Sequence, residues 1–179
     1  MGYTNAGKST LFNALTRAQV FVEDRLFATL DATTRQMVSP KRVTVLLTDT
    51  VGFIRKLPHH LVASFRSTLS EVVEADLLVQ VVDAADPDFR RQMQAVEGVL
   101  EELMPEPRPA LLVFNKADAL ADPDHEVALR AEFSGAMVVS ARTGAGLVAL
   151  REALWHRAAE RSGREILAPG NGAGERHRS

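Results

Sequence analysis

The chain has 179 residues, of which 46% are hydrophobic and 25% charged, and its formal net charge is -2 at pH 7. This size and composition are typical of one globular domain, and the small net charge gives no electrostatic reason to expect DNA binding. The lack of cysteine excludes disulfide bonds and thiolate metal sites, and no apolar run approaches the roughly 20 residues of a membrane span. We therefore expect a monomeric cytoplasmic protein without a membrane partner.

The first predicted element is a loop that leads into a helix near Lys8. Residues 2–9 (GYTNAGKS) fit the pattern G-x-x-x-x-G-K-[ST], in which backbone N–H groups cradle phosphates. In such a loop Lys8 places a positive charge at the β- and γ-phosphates, and the Ser9 hydroxyl is a ligand for Mg²⁺. The pattern alone also fits a glycine-containing turn before an ordinary helix. The residues predicted to bind phosphate are Gly2, Tyr3, Thr4, Asn5, Ala6, Gly7, Lys8 and Ser9.

Short apolar runs alternate with stretches of helical periodicity along the rest of the chain. The runs predict strands at 43–47, 77–82, 110–114 and 136–139. The periodic stretches predict helices across 61–72, 89–103 and 147–158. Because these runs are almost uniformly apolar, we expect strands covered on both faces.

This alternation predicts an α/β fold: a doubly wound, mostly parallel sheet with helices on both faces. Residues 1–160 are expected to form the domain. The polar residues 161–179 are expected to be a disordered tail.

Polar motifs follow three of the predicted strands, at the edge of the sheet where ligands bind. Asp49-Thr50-Val51-Gly52 has the form D-x-x-G, which places a carboxylate near the metal and a glycine amide near the γ-phosphate. Asn115-Lys116-Ala117-Asp118 has the form N-K-x-D, and Asp118 can accept from guanine N1–H and the 2-amino group, which adenine cannot offer together. Ser140-Ala141-Arg142 follows the last strand, where a backbone N–H can meet guanine O6.

An isolated N-K-x-D also fits a helix cap. Four motifs in this order nevertheless predict a GTPase core that binds GTP or GDP with Mg²⁺.

Several of these stretches resemble the HflX family of ribosome-associated GTPases. They are Gly2 to Asn13 (GYTNAGKSTLFN), Phe27 to Arg35 (FATLDATTR), Asp49 to Ile54 (DTVGFI) and Val82 to Pro87 (VDAADP). The resemblance covers residues 1 to about 160. It implies the fold of a P-loop GTPase G domain, a cytoplasmic location, and association with the large ribosomal subunit in ribosome rescue or dissociation under stress.

The resemblance also assigns the segment called switch I. From residue types alone, Thr29, Thr33 and Thr34 could each give Mg²⁺ a second hydroxyl ligand, and the resemblance selects Thr29. It implies that switch I closes over the nucleotide with Phe27, Ala28, Thr29, Leu30 and Asp31. The catalytic residues are then predicted to be Lys8, Thr29 and Gly52, and the metal ligands Ser9 and Thr29.

Two features depart from the family. Members carry an N-terminal domain and a strand that leads into the phosphate loop, and Met1 stands where that strand ends. The resemblance therefore implies an N-terminally truncated G domain that lacks its first strand. The strands at 43–47 and 77–82 would then stand apart around a gap, or collapse together and displace the loop.

The second departure is Phe53, which holds the position where many GTPases carry a water-orienting glutamine. Asn5 offers another route to catalysis, because an asparagine at this position binds K⁺ beside the phosphates in several related GTPases. Its alternative role is a hydrogen bond within the loop. The alternatives to a GTP-hydrolysing switch are a nucleotide-dependent binding module with negligible intrinsic hydrolysis, and a decayed, inactive G-domain fragment.

Overall fold

The structure, a computed structural model, describes residues 1–16, 33–40, 42–50, 52, 71–104 and 109–161. Several sequence predictions fall outside these residues: the switch I residues Phe27, Ala28, Thr29, Leu30 and Asp31, together with Val51, Phe53 and the tail from 162. None of the helices in the described part is long and apolar enough to cross a membrane.

The described helices and strands follow one another in a fixed order along the chain. They are α1 (Lys8–Thr16), β1 (Thr33–Val38), β2 (Thr44–Asp49), β3 (Leu78–Asp83), α2 (Phe89–Leu103), β4 (Ala110–Asn115), a 3-10 turn (Ala117–Ala119), α3 (Pro123–Glu132), β5 (Met137–Val138) and α4 (Leu147–Arg161). The four predicted strands and the helices near Lys8, across 89–103 and across 147–158 are confirmed, with small shifts at their ends. Of the helix predicted across 61–72 only the last residues are described, and residues 71–74 are helical.

Helix α3 and strand β1 were not predicted. A sequence signal for α3 exists, because Asp122 and Pro123 are typical of the N-cap and first position of a helix. The Asp122 side chain accepts a hydrogen bond from the Asp124 N–H, as a cap does.

The main sheet is parallel and has the order β3–β4–β5. Its register pairs Leu78 with Ala110 and Asp83 with Asn115, so the polar residues that end β3 and β4 lie side by side. Strand β5 pairs with β4 at Val113 and Phe114 and runs on towards Ser140. The prediction that polar strand ends gather at one edge is confirmed.

Helices cover both faces of this sheet, because alternate residues of each strand point to opposite sides. One core contains Val81 and Val113 with residues of α1 and α4: Leu11, Leu15, Leu147, Leu150 and Leu154. The other contains Val82 and Phe114 with residues of α2 and α3: Phe89, Met93 and Leu129. The predicted doubly wound α/β fold is therefore confirmed.

Strand β2 differs from the prediction for 43–47. It pairs antiparallel with β1 in a separate two-stranded sheet, rather than parallel within the main sheet. Its side chains are not covered on both faces, since Leu46 is 69% exposed and Val38 of β1 is 54% exposed. The opposite face packs through Met37 and Val45 on the core beneath α1. An antiparallel pair needs only one covered face, which accounts for the difference.

The phosphate loop starts along the free edge of β3. The Val81 N–H donates to the Met1 carbonyl oxygen at 2.9 Å, and Gly2 forms a parallel bridge with Val81. A Cβ atom at Gly2 would overlap the Val81 carbonyl oxygen, so this approach requires glycine. Strands β2 and β3 lie in separate sheets; the direct pairing of the two does not occur.

We predict that Phe114→Ala lowers the free energy of unfolding by about 3–5 kcal/mol, because it empties a fully buried ring position. Phe114 is 0% exposed, and its ring centroid lies 5.5 Å from that of Phe89 and 5.1 Å from that of Phe133. Urea unfolding measures the loss. Val148→Ala is the control, since Val148 is 65% exposed and should change stability by under about 0.5 kcal/mol. A similar small change for Phe114→Ala would contradict this account of the core.

Candidate functional site

The phosphate loop, which begins beside β3 and leads into α1, has the concave backbone of an anion-binding site. Asn5 and Gly7 have positive φ angles of 61° and 83°, which turn the chain around a hollow. The Ala6 N–H donates to the Tyr3 carbonyl oxygen at 3.3 Å, and the Leu11 N–H donates to Gly7 at 2.9 Å as α1 begins. The loop is anchored from below, because Ala6 is buried in the core beneath α1.

Lys8 lies across this loop. Its Nζ donates to the Tyr3 carbonyl oxygen at 3.0 Å. Burial lowers the pKa of the Lys8 amine from its ordinary value to about 8, against the opposing effect of the Asp49 charge. A phosphate placed in the hollow would restore the tendency of this amine to be charged.

Gly52 packs directly against the loop, as the D-x-x-G motif predicts. A Cβ atom at Gly52 would lie 2.8 Å from Lys8 Nζ and 2.8 Å from Thr4 Cα, which is too close for any side chain. The glycine thus lets the backbone that follows β2 come alongside Lys8, which is predicted to contact the phosphates. The same close packing would bring the Gly52 N–H beside a bound γ-phosphate.

Ser9 and Asp49 meet at the start of α1. The Ser9 hydroxyl donates to Asp49 Oδ2 at 2.6 Å, and Asp49 is only 3% exposed. A hydroxyl and a carboxylate are oxygen ligands that suit Mg²⁺, which takes few protein ligands and completes its shell with phosphate and water. In the described ranges no group of three or more His, Cys, Asp or Glu side chains could hold a metal alone. The donor set therefore fits a Mg²⁺ bound together with phosphates.

Asn115 joins two parts of the site. Its Nδ2 donates to the Ala6 carbonyl oxygen at 3.1 Å, and its Oδ1 accepts from the Ala141 N–H at 3.0 Å. Asn115 is 1% exposed, and its hydrogen bond to the Ala6 carbonyl oxygen is buried. One side chain at the end of β4 thus fixes both the phosphate loop and the segment after β5.

Lys116 follows in a left-handed conformation, with φ at 63°. Its Nζ lies 2.7 Å from Asp83 Oδ2, at the end of the neighbouring strand. Asp83 was not among the predicted site residues. Its position directly after an apolar run was the available signal, because strand ends in this fold face the ligand.

Asp118 is held by the segment after β5. The Ser140 hydroxyl donates to Asp118 Oδ1, while Arg142 approaches Oδ2 through Nε at 2.7 Å and Nη2 at 2.6 Å. These contacts, first the Ser140 hydrogen bond and then Arg142, hold the pKa of Asp118 below its usual value. The carboxylate is therefore an ionised acceptor. The Arg142 contact is a second feature that the sequence analysis missed.

The described part of the chain brings the predicted motifs to one edge of the main sheet. The phosphate loop, Asp49 and Gly52 form one end, and Asn115 connects it to Asp118 and to 140–142 at the other. The site thus has one end that can bind an anion and another that can accept hydrogen bonds from a base, an arrangement that suits a nucleotide.

Comparison with known proteins gives one family. The profile of the family described as 50S ribosome-binding GTPase matches residues 1–116. GTPase HflX of Gluconacetobacter diazotrophicus is 52% identical over 154 residues, which cover 86% of this chain and 34% of that protein. GTPase HflX of Escherichia coli K12 is 49% identical over 158 residues, covering 88% of this chain and 37% of that protein. The chain thus spans about a third of the length of the curated relatives that it matches.

Solved structures of similar fold include nucleotide complexes. A GTP-binding protein from the archaeon Sulfolobus solfataricus in complex with GDP is 30% identical, with a TM-score of 0.67 over 89% of this chain and 51% of that one. Era in complex with MgGDPNP and nucleotides 1506–1542 of 16S ribosomal RNA has a TM-score of 0.70, over 86% of this chain and 53% of that one. At 23% identity, Era shows the fold alone.

We predict that Asn115→Ala lowers the free energy of unfolding by at least about 2 kcal/mol without any ligand, because it leaves the Ala6 carbonyl and the Ala141 N–H unpaired. Urea unfolding measures the loss. Gln36→Ala removes an amide from an exposed position in β1 and serves as the control, with little expected change. Equal stability of the two variants would show that Asn115 does not fasten the site.

Proposed function

The chain belongs to the family of 50S ribosome-binding GTPases, as an HflX-type G domain, and we propose that it binds GTP and hydrolyses it to GDP and phosphate. The observation that carries this proposal is the bridge by Asn115. Asn115 connects the concave phosphate loop to the segment after β5, which holds the Asp118 carboxylate.

Base selection is proposed to rest on Asp118. Guanine presents N1–H and a 2-amino group on one edge, and an ionised carboxylate can accept from both. Adenine presents no such pair, so a bound adenine would leave the Asp118 carboxylate without its two donors. The lowered pKa of Asp118 supports this role, because the group remains an acceptor throughout the physiological pH range.

Phosphate and metal binding are proposed for the opposite end. Lys8 would contact the β- and γ-phosphates, and the Gly52 amide would lie beside the γ-phosphate. Ser9 and Asp49 would hold Mg²⁺, with Thr29 as the further hydroxyl ligand that the family resemblance implies. When bound, Mg²⁺ supplies positive charge that offsets the charge developing on the phosphates.

Hydrolysis adds water at the γ-phosphorus and breaks the bond to the β-phosphate oxygen, releasing GDP and inorganic phosphate. The chain contributes by positioning the phosphates and by donating hydrogen bonds to them. Phe53 has no group that could orient the water. We therefore propose that K⁺ bound beside Asn5 raises the rate, and the αL backbone and exposed position of Asn5 in the loop leave its side chain accessible to an ion.

The large ribosomal subunit is the proposed partner, in ribosome rescue or dissociation under stress, in the cytoplasm. The support is membership of the family of 50S ribosome-binding GTPases and the similarity to HflX relatives. Sedimentation with purified large subunits tests this. The chain should co-sediment with the subunits when a nonhydrolysable GTP analogue is present, and should do so less when GDP is present. The absence of co-sedimentation in both states would refute the partner for this chain.

We predict measurable GTP turnover by the purified chain, faster in KCl than in NaCl at equal ionic strength. Phosphate release measures the rate, with and without large subunits. Equal rates in the two salts would refute the K⁺ site and leave the GTPase intact. Turnover seen only with subunits would favour a nucleotide-dependent binding module, and failure to bind GDP in a titration would favour an inactive fragment.

We predict that Asp118→Asn shifts the preference between GTP and xanthosine triphosphate by at least about 100-fold towards the xanthine nucleotide. The amide can donate to the 2-carbonyl oxygen of xanthine, whereas it repels the 2-amino group of guanine. Competition binding with labelled GDP measures the shift. Glu132→Gln also removes a carboxylate that pairs with an arginine, but on α3, and should leave the preference unchanged. An Asp118→Asn protein that retains the parent's preference would remove Asp118 from base recognition.

We predict that nucleotide affinity falls about fourfold between pH 7 and pH 8.5, because phosphate binding requires the charged Lys8 and its pKa in the free protein is about 8. Below pH 8 the amine is mostly protonated before binding, and above pH 8 binding must take up a proton. Calorimetry in two buffers of different ionisation enthalpy measures this uptake. Lys8→Arg stays charged and should bind with a flatter pH profile. If the nucleotide affinities of the parent and Lys8→Arg changed equally with pH, Lys8 would not be the group whose protonation binding requires.

A further inference from the structure

Arg142 is an exposed member of the site and contacts Asp118, the residue proposed to pair with the base. Its side chain is 74% exposed, whereas that of Asp118 is 14% exposed. Both Nε and Nη2 point at Asp118 Oδ2, at 2.7 Å and 2.6 Å. Because the Ser140 hydroxyl already occupies Oδ1, Oδ2 is the carboxylate oxygen that faces outward.

The guanidinium group of arginine matches the edge of guanine that Asp118 is proposed to recognise. In guanine, N1–H and the 2-amino group are two N–H donors on neighbouring nitrogens of a planar N–C–N unit. In arginine, Nε–H and one Nη–H group are the same kind of pair on the same kind of unit. One carboxylate cannot make its full set of hydrogen bonds to both at once.

We propose that Arg142 is an intramolecular competitor of the guanine base, which must leave Asp118 Oδ2 before the base can pair with it. This proposal rests on the proposed guanine-nucleotide binding and adds to it a residue that sets affinity and binding rate.

The competition should be weak, because the arginine is largely in water. Exposed ion pairs of this kind change an equilibrium by roughly two- to fivefold. In the closed state Arg142 occupies Asp118, and in the open state it does not. Only open molecules can bind the base, so the apparent affinity equals the intrinsic affinity multiplied by the open fraction. The closed state therefore slows association and leaves dissociation of the bound nucleotide unchanged. Salt weakens the exposed pair, so the effect should fade as ionic strength rises.

Stopped-flow binding of GDP that carries a fluorescent group on the ribose, and so leaves the guanine edge free, tests the proposal. The parent is compared with Arg142→Ala, Arg142→Lys and the control Arg90→Ala. Arg90 is matched to Arg142, because it binds Glu132 through Nε and Nη2 at 3.3 Å and 2.6 Å, away from the site. Thermal melting of each variant verifies that it is folded.

Arg142→Ala should associate about two- to fivefold faster than the parent at low salt, with the same dissociation rate, and the two should converge at high salt. Arg142→Lys should lie between them, since lysine keeps the charge but lacks the paired donors. Arg90→Ala should match the parent.

Equal association rates for the parent and Arg142→Ala would overturn the competition while nucleotide binding itself stands. Faster dissociation from Arg142→Ala would also overturn it, by showing that Arg142 contacts the bound nucleotide. If none of the folded proteins bound GDP, the proposed function and this inference would both fall.

Discussion

The site depends on a pair of hydrogen bonds made by one amide side chain, that of Asn115. An amide is suited to this position because it donates through Nδ2 and accepts through Oδ1, and the two neighbouring segments offer one acceptor and one donor. A carboxylate could only accept and an ammonium group could only donate. Burial of the Asn115 side chain makes these hydrogen bonds matter, since an amide left unpaired in a buried position loses its hydrogen bonds to water.

Around this bridge, ionic contacts join the ends of adjacent strands. Lys116 reaches back to Asp83, and Arg142 reaches across to Asp118. Each pair links the loop after β4 to a different neighbour, one on either side. The parallel register of β3 and β4 makes the first possible, because it places Asp83 and Asn115 opposite each other. The 3-10 turn that follows Lys116 contains Asp118 and places its side chain against Arg142, which forms the second pair.

The motifs and the main sheet could be predicted from the sequence because both are local. Strands such as 110–114 are apolar runs, and the phosphate loop and N-K-x-D are contiguous. Strand β1 could not be predicted in this way, because its sequence (TTRQMV) begins with four polar residues and has no apolar run, and its pairing with β2 depends on tertiary contacts. The contacts of Asp83 and Arg142 were missed for the same reason, since each partner lies far away in the sequence. Switch I lies outside the described residues, so Thr29 stays a prediction.

The division of the strands into two sheets has a mechanical consequence. Asp49 is carried by the β1–β2 pair, whereas Asn115 and Asp83 are carried by the main sheet, and no backbone ladder in the described part of the chain joins the two. Side-chain packing under α1 connects them instead, and the Ser9–Asp49 hydrogen bond ties β2 to α1. Packed side chains yield to small sliding displacements far more readily than a hydrogen-bonded ladder does. The metal end of the site is therefore held to the main sheet by side-chain packing, whereas the base end is built on the backbone hydrogen bonds of that sheet.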